Sequence, residues 1–549
     1  MAYHDISNPG FNQQLRMFET TDPVHADTFN AVAKQLINND VALSNALSRV
    51  VSDKTEQAKF LLNLHRNGKK YGVHWDAFSA NSSSVGTRTE DAVGMVAKPS
   101  TNTVRAQNDF EDEGPFFHLE VNGSVNTDGT FTVTAIDGID SDFNRYNKDT
   151  WCLYLPYYWK ITIGGTGEDI VISDTKYNGF LPCGTSILPD GSLRPFVAMA
   201  KYQDGHGEAT ACSMSGKNPS NNSETGGSIS YSGLITRMHA KGTQYCAATA
   251  QDKDHMDTLF KVAFATRNSQ SVMAGATSYY FTGMATVTET GVESIVVAKS
   301  VADRVKVGST VSIGTKASSG SEDRNLGNNN DVANRVLVTK VEPVDGSNSR
   351  VYVDNGGTTF DITADKNWLL TMPWRTGTCD DVLGSCGSPS NNTNGTEPFI
   401  LFGVEMMLGQ FEVLGNIFLH MADGTAHMEI CYDCTKLANS VTDDYKQVAY
   451  ENLNGDGQWI SELGFDAANP SVRFPVKGGA SASIGYADLQ WNNDYTKTTG
   501  DREVLVRGAL TAGANAGLFY AILDAGLGSA HWNIGARLSA SGRSAQSAA

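Results

Sequence analysis

With 549 residues, a formal net charge of -18 and a pI near 5.0, the chain is long enough for two to four domains around a large core. It holds no basic run, which disfavours an electrostatic nucleic-acid binder. Fifty-four Gly against 15 Pro, only 19% charged residues and long Ser/Thr/Asn/Gly stretches describe a β-rich, loop-rich protein held in a solvent-exposed assembly.

No apolar run is long enough to span a membrane, and the start MAYHDISNPGFNQQ lacks a basic region followed by an apolar one. Neither a membrane span nor a signal peptide is therefore expected. The eight cysteines, at 152, 183, 212, 246, 379, 386, 431 and 434, are too sparse for a disulfide scaffold and read as reduced thiols. Cys431 and Cys434 have zinc-knuckle spacing, but no second Cys or His pair follows, so no metal is expected there. Cys379 and Cys386 would close a loop only where the environment oxidises them.

Residues 1–64 read as an extended arm and a helix. Thr21-Asp22-Pro23 supplies a helix start, and Phe29, Leu36, Leu43 and Val50 recur every seven residues with Val32 and Ala46 between them, although Asn39 and Asp53 also fall on the stripe. Such a helix either lies on its own domain or joins a short bundle around a symmetry axis, a homotrimer being the expected form. Residues 65–114 read as a loop-rich connector seated by Trp75, Val93 and Met95, with Arg88 placed to pair with Glu90 or Asp91. From 115 to 283 short strands alternate with turns: 116–121, 130–135, 151–155, 156–163, 170–173 and 195–202. Tyr157, Tyr158 and Trp159 are most simply core, with sugar stacking as the alternative. A Ser/Asn/Gly-rich loop at 213–232 leads to a helical run from Asp257 to Ser271, whose apolar face is Leu259, Val262, Phe264 and Ala265.

Residues 284–375 form an insertion. Val287, Ile295, Val297, Val305, Val307, Val311, Ile313, Val336, Val338, Val351 and Val353 lie on alternating strands around Asp345-Gly and Asn355-Gly-Gly turns, the pattern of a small β-barrel or sandwich. It is either a spacer or a second adhesive surface, and Ser318–Asn329 reads as an exposed loop within it. The region 376–549 returns to apolar strands at 398–405 and 409–418 and ends in Arg507–Leu538, broken by Gly508, Gly513, Gly517, Gly526, Gly528 and Gly535 into pieces too short for helix. A stretch of that kind displays side chains.

Gly513-Ala-Asn-Ala-Gly-Leu-Phe-Tyr520 and Trp532-Asn-Ile-Gly-Ala-Arg-Leu538 resemble the constant frame of the variable proteins of diversity-generating retroelements. These proteins carry a C-type-lectin-like fold related to formylglycine-generating enzymes. Phe196–Tyr202, Leu259–Ser271 and Phe399–Phe418 are similar to other parts of that fold, and Asp22–Asn30 and residues 65–110 are similar to openings of phage tail-associated and minor structural proteins. The resemblance implies an α+β, β-rich chain with a lectin-like domain divided by the insertion, made in a bacterial cytoplasm and carried on a virion tail. There it would bind a host-cell receptor, protein or glycan, alongside other tail proteins. It also implies a scaffold of Gly513, Gly517, Phe519, Trp532, Ile534 and Gly535. The diversified receptor-binding positions would be Ala509, Leu510, Thr511, Ala512, Tyr520, Ile522, Asp524, Ala525, Ser529 and His531.

No catalytic residue, cofactor or metal is expected. Gly-x-Ser-x-Gly, His-Glu-x-x-His, P-loop and dinucleotide fingerprints are all missing, and the oxidation run by formylglycine-generating enzymes needs a C-terminal cysteine pair, whereas the last cysteine here is Cys434. Asp140-Ser-Asp142-Phe-Asn144 opens like a calcium loop but lacks the later bidentate Glu, and His206 near Asp204 and Glu208 is a weaker metal candidate still. A polysaccharide-degrading enzyme and a purely structural virion component are the alternative functions.

Overall fold

The computed structural model describes residues 26–188, 190–205, 208–219, 230–325 and 327–540. The N-terminal arm, the Thr21-Asp22-Pro23 start, His206 and half of the 213–232 loop lie outside those residues, as do the side chains of Phe29 and Ala46. Strand accounts for 35% and helix for 15%, so the chain is β-rich with few helices.

Helix α1 (Ala26–Ser52) is followed directly by α2 (Lys54–Leu64). The break falls at Asp53, whose Oδ1 accepts the Thr55 N–H at 2.8 Å and the Glu56 N–H at 3.3 Å, so the residue caps a new helix and ends the heptad stripe at Val50. Buried Ala58 and Leu62 seat α2 on strand Phe131–Ile136, where Thr55 Oγ1 accepts the Val133 N–H at 3.1 Å. Along α1, by contrast, Leu36 is 46% and Leu43 63% exposed. Among the described residues its apolar stripe is covered only in part, at half-buried Val32 and Val50.

The connector is woven into the body. Tyr71–Asp76 lies between Thr87–Glu90 and Gly167–Ser173 in a five-stranded sheet completed by Tyr158–Gly164 and Leu181–Pro182. Alternate residues Tyr71, Val73 and Trp75 enter the first apolar core with Tyr157, Trp159, Ile170 and Ile172. Burial of Tyr157 and Trp159 makes them core and removes them as sugar platforms, and Val93 is exposed and seats nothing.

A six-stranded sheet runs in the order Cys246–Ala247, Arg537–Ser539, Val197–Gln203, Thr150–Tyr154, His118–Val125, Phe131–Ile136. The last described strand is thus threaded between segments far earlier in the chain. An eight-stranded sheet is built on the long strand Phe411–Ala422. Thr425–Cys431 and Tyr445–Glu451 lie on one side of it, and Gly500–Arg507, Ala521–Ile522, Leu489–Trp491 and Gln458–Trp459 on the other, with Ile534–Gly535 paired to Phe411 and Glu412. Helix α3 (Tyr231–His239) packs on this sheet.

Helix α4 (Ala250–Phe264) is buried along its whole length. It begins earlier than the expected Asp257 because Thr249 and Asp252 form a capping box, and it ends where Ala265 turns left-handed at φ 50°. Arg88 caps its C-terminal end by donating to the Ala263 carbonyl. That contact replaces the expected ion pair, and Glu90 is held by Lys70 at 2.7 Å.

The insertion forms its own six-stranded sheet, ordered Thr282–Met284, Asn367–Met372, Thr310–Thr315, Ala333–Pro343, Asn348–Asp354, Ser294–Ala298. It curls until Ala285 pairs with Val297. Ile295, Val297, Val311, Ile313, Val336, Val338, Val351 and Val353 line its core, which continues into Leu510 and Trp532 of the C-terminal stretch. Its loop is exposed only in part: Ser318–Gly320 face solvent, whereas Arg324 and Asn329 are buried.

Candidate functional site

Strand Gly500–Arg507 ends at Arg507, whose φ of 74° turns the chain out of the sheet. The Arg507 guanidinium reaches back into the core, where Nη1 donates to Asp257 Oδ1 of α4 at 2.6 Å and to the Leu518 carbonyl at 2.9 Å. Burial pushes the Asp257 carboxyl up, but Lys253 and Arg507 outweigh it and hold the group below its ordinary range. The central helix and the C-terminal stretch, remote in sequence, are therefore tied by one buried ion pair.

Three further contacts fix the same turn. Ser269 Oγ accepts the Leu518 N–H at 2.8 Å, Asp488 Oδ2 accepts the Phe519 N–H at 2.9 Å, and the Thr277 carbonyl accepts the Gly513 N–H at 2.7 Å. Burial raises Asp488 to about 7 against the hydrogen bonds from Phe519 and Gln270. A side chain at position 517 would overlap Ser269 Oγ and come within 2.8 Å of Asp488 Oδ1, which is why glycine stands there. At Gly513 the reason is conformational, a φ of 58°.

The expected contact residues divide into two sets. Ala509, Leu510 and Tyr520 are buried: Leu510 joins the core of the insertion and Tyr520 stacks on Phe411 with ring centres 6.1 Å apart. These three belong to the frame: Ala509 and Leu510 follow the turn at Arg507 into the core, and Tyr520 is held there by Phe411. Thr511 and His531 are exposed, and Ala512, Ile522, Asp524, Ala525 and Ser529 are half-buried. Residues 522–531 are gathered into one loop, pinned where the Ala525 carbonyl accepts the Glu503 N–H at 3.0 Å and the Leu527 carbonyl accepts the Tyr231 N–H at 3.0 Å. Thr511 and Ala512 sit apart, on the turn held by Thr277. Phe519, Trp532, Ile534 and Gly535 are buried, and Gly513 is half-buried.

What closes the far end of the loop carries no signal in the sequence. Asn325, from the insertion, accepts the Trp532 N–H at 2.9 Å and meets His531 Nδ1 at 2.9 Å. The Arg324 guanidinium lies 3.6 Å from the Tyr280 ring centre and 5.7 Å from that of Trp532, and Arg335 donates to the Trp532 carbonyl at 3.4 Å. The insertion therefore braces the display loop, beyond any role as a spacer. Beneath it, Arg537 donates to the Ala200 and Lys201 carbonyls at 3.0 and 2.8 Å.

The chain matches no protein-family model and no curated protein.

Paired carboxylates do occur, in a cleft of about 210 Å³ lined by His118, Glu120, Lys201 and Asp380. Lys201 Nζ stands 2.5 Å from Glu120 and 3.1 Å from Asp380. Burial raises the Glu120 carboxyl, yet Lys201 and Arg145 together bring it below its usual range. Burial pushes His118 down to about 4. No group of three metal-ligating side chains occurs among the described residues. In the calcium-like segment the carboxylate of Asp140 is engaged by Lys54 and by the Ile136 N–H at 2.9 Å, and Asn144 Oδ1 accepts the N–H groups of Tyr146 and Asn147. Both have partners within the chain. All eight cysteines are buried thiols, those at 379, 386, 431 and 434 included.

Proposed function

We propose that the chain is a phage tail protein that binds a host-surface receptor through its 522–531 loop, on a C-type-lectin-like scaffold of the kind found in diversity-generating-retroelement variable proteins. The observation that carries this reading is the contrast within one short stretch: a backbone fixed by Arg507, Asp257, Ser269, Asp488 and Asn325, and a loop in which Leu523 is buried, Ile522, Asp524, Ala525 and Ser529 are half-buried and His531 is exposed. A rigid frame with replaceable outward positions binds without the ordering cost of a mobile loop. Three copies joined through the exposed part of the α1 stripe would multiply weak contacts into avidity on a virion.

The second reading, polysaccharide cleavage, has one feature in its favour, the Glu120–Asp380 pair. A glycosidase needs one carboxyl kept protonated as the general acid, and Lys201 and Arg145 hold Glu120 in the opposite state. We therefore place recognition first and treat that cleft as an ion network.

Sequencing the gene and its flanks across many particles tests the proposal. The expected result is substitution concentrated at Thr511, Ala512 and 522–531, with a nearby near-copy carrying adenines at the changed sites, while Ala509, Leu510 and Tyr520 stay fixed. Variation spread evenly along 376–549 overturns the retroelement part.

A further inference from the structure

The 522–531 loop is held to the body by three backbone contacts. The Glu503 N–H donates to the Ala525 carbonyl, the Tyr231 N–H to the Leu527 carbonyl and the Ile534 N–H to the His531 carbonyl, each at 3.0 Å. Glu503, Tyr231 and Ile534 also line one small cavity of about 10 Å³, together with Asp204, Leu234 and Val413. That is close to the room a single water molecule needs. The residues that hold the loop are therefore also walls of this cavity.

Glu503 is 1% exposed, and its Oε1 has no hydrogen-bond partner among the described residues. The charged groups on the elements packed around it are engaged elsewhere. On its own strand, Asp501 meets His420 Nδ1 of the adjacent strand at 2.6 Å, and Arg502 projects to the opposite face. Asp204 is held by Arg237 of α3 at 2.5 and 3.0 Å, and Arg537 by Glu412 at 3.3 Å. Glu429 lies in the same cross-strand row beyond buried Phe418, and Asp524 stands half-buried on the loop itself. With no cation to offset it, burial alone raises the Glu503 carboxyl to about 8.

We infer that Glu503 is a proton-operated latch on the display loop: the protonated carboxyl keeps the loop on the body, and loss of that proton releases it. The inference rests on the receptor-binding reading and deepens it, from a surface that is always presented to one whose rigidity follows pH. A carboxylate needs several hydrogen-bond donors, and a cavity the size of one water cannot supply them unless its walls part. Parting the walls draws Glu503, Tyr231 and Ile534 away from the loop carbonyls they hold. In the released loop the carboxyl is solvated and has its ordinary value of 4.5, whereas in the clamped loop burial raises it to about 8. The clamped form therefore binds the proton more tightly. Its advantage is complete below pH 4.5, falls as pH rises to about 8 and is level above that. A released loop must be ordered again on meeting a receptor, which weakens binding.

The test places a nitroxide label on Gly528→Cys of the full chain. A side chain at position 528 meets nothing within 4 Å, and the eight native thiols are buried, so the label goes to the loop. Its electron paramagnetic resonance spectrum should be motionally restricted at pH 5, with a mobile component that grows about tenfold or more by pH 8.5, while circular dichroism stays unchanged. Glu503→Gln in the labelled chain should keep the restricted spectrum at every pH. Asp524→Asn, which removes the loop's own carboxyl, should leave the response intact. A spectrum indifferent to pH, a response that survives Glu503→Gln or is abolished by Asp524→Asn, or a loss of circular dichroism signal in the same window overturns the latch. Decoration of bacterial strains by the fluorescently labelled chain separates the two readings. On a strain that it decorates, binding should weaken severalfold from pH 5 to 8.5 in the parent and stay level in Glu503→Gln, and equal binding by the parent at both values overturns the regulation. If the spectra behave as expected and no strain is decorated, the receptor-binding reading fails while the latch stands.

Discussion

Two helices of this chain invert the usual rule of burial. Helix α4 buries Lys253, Asp254, Asp257 and Lys261, whereas α1 leaves Leu36, Ile37 and Leu43 substantially exposed. Asp257 is tolerable inside because Lys253, one turn away on the same helix, holds it at 2.5 Å and the distant Arg507 holds it at 2.6 Å, and Glu168 is held by Arg267 at 2.5 Å and Arg473 at 2.6 Å. On α1, Val32 and Val50 of the apolar stripe are half-buried, while Leu36 and Leu43 find no burying partner among the described residues of the same chain. What decides the burial of a side chain is where its partner lies, and for α4 the partner is within the chain.

The largest effect expected from breaking that arrangement is at Asp257. Removing its carboxylate leaves Lys253 and Arg507 buried without their counter-charge. Asp257→Ala should therefore cost about 3–5 kcal/mol, read as a lowered urea midpoint. Because Arg507 also holds the Leu518 carbonyl, hydrogen exchange at residues 517–519 should accelerate more than in the insertion. A loss below about 1 kcal/mol would mean that the central helix and the display frame are not coupled.

This coupling also marks the limit of what could be read beforehand. The alternation of Val and Ile in 284–375 showed the strands there, and the strands between 116 and 202 fell within a few residues of their places. Both are periodic or local signals. Asp257, Asp488, Ser269, Arg324 and Asn325 carry no such signal, since each is a single polar residue whose partner lies far away in sequence. The burial of Leu510 and Tyr520 was illegible for a related reason: in a glycine-broken stretch no period tells which side chains point inward. The start of α4, expected at Asp257, was missed although Thr249-x-x-Asp252 forms a capping box there.

A second break separates frame from loop. Gly517→Ala should overlap Ser269 and crowd Asp488 and cost about 2–3 kcal/mol by thermal or chemical denaturation. Gly526→Ala meets open space and should change stability by no more than about 0.5 kcal/mol. Equal costs at the two positions would erase the distinction between a fixed frame and a replaceable loop.

Glu503 sharpens the same contrast through pH. It is buried beneath the loop, Oε1 has no hydrogen-bond partner, and burial raises it from 4.5 to about 8. Below pH 4.5 the carboxyl is protonated in both folded and unfolded chains. As pH rises from there to about 8, the unfolded chain sheds a proton that the folded chain retains, so stability falls across this window. Glu503→Gln removes the dependence. The variant should match the parent at pH 4 and exceed it by about 1–2 kcal/mol at pH 8.5, an effect limited to that scale by relaxation around the site. Asp254, Asp488 and Glu405, each raised by burial to about 7, tilt the parent's profile in the same direction. The difference between variant and parent isolates Glu503 to the extent that these sites act independently.

The smallest effect on the folded body belongs to α1, and it is the one that completes the comparison of the two helices. Leu36→Ser and Leu43→Ser remove apolar side chains that are 46% and 63% exposed, so the melting of the sheets should shift by less than about 0.5 kcal/mol. If other copies of the chain cover the stripe, the same two changes remove buried contacts between copies, and the mass measured by light scattering should fall from a trimer towards a monomer as the protein is diluted. Asn39, which accepts from Gln35 at 2.8 Å, falls on the stripe where an apolar residue would otherwise stand, and a polar residue there favours one register at some cost in stability. Asn39→Leu should accordingly make the assembly more resistant to dilution while broadening its size distribution. An unchanged mass in all three variants would show that α1 is covered by something other than its own copies, and the proposed avidity would then need a different source.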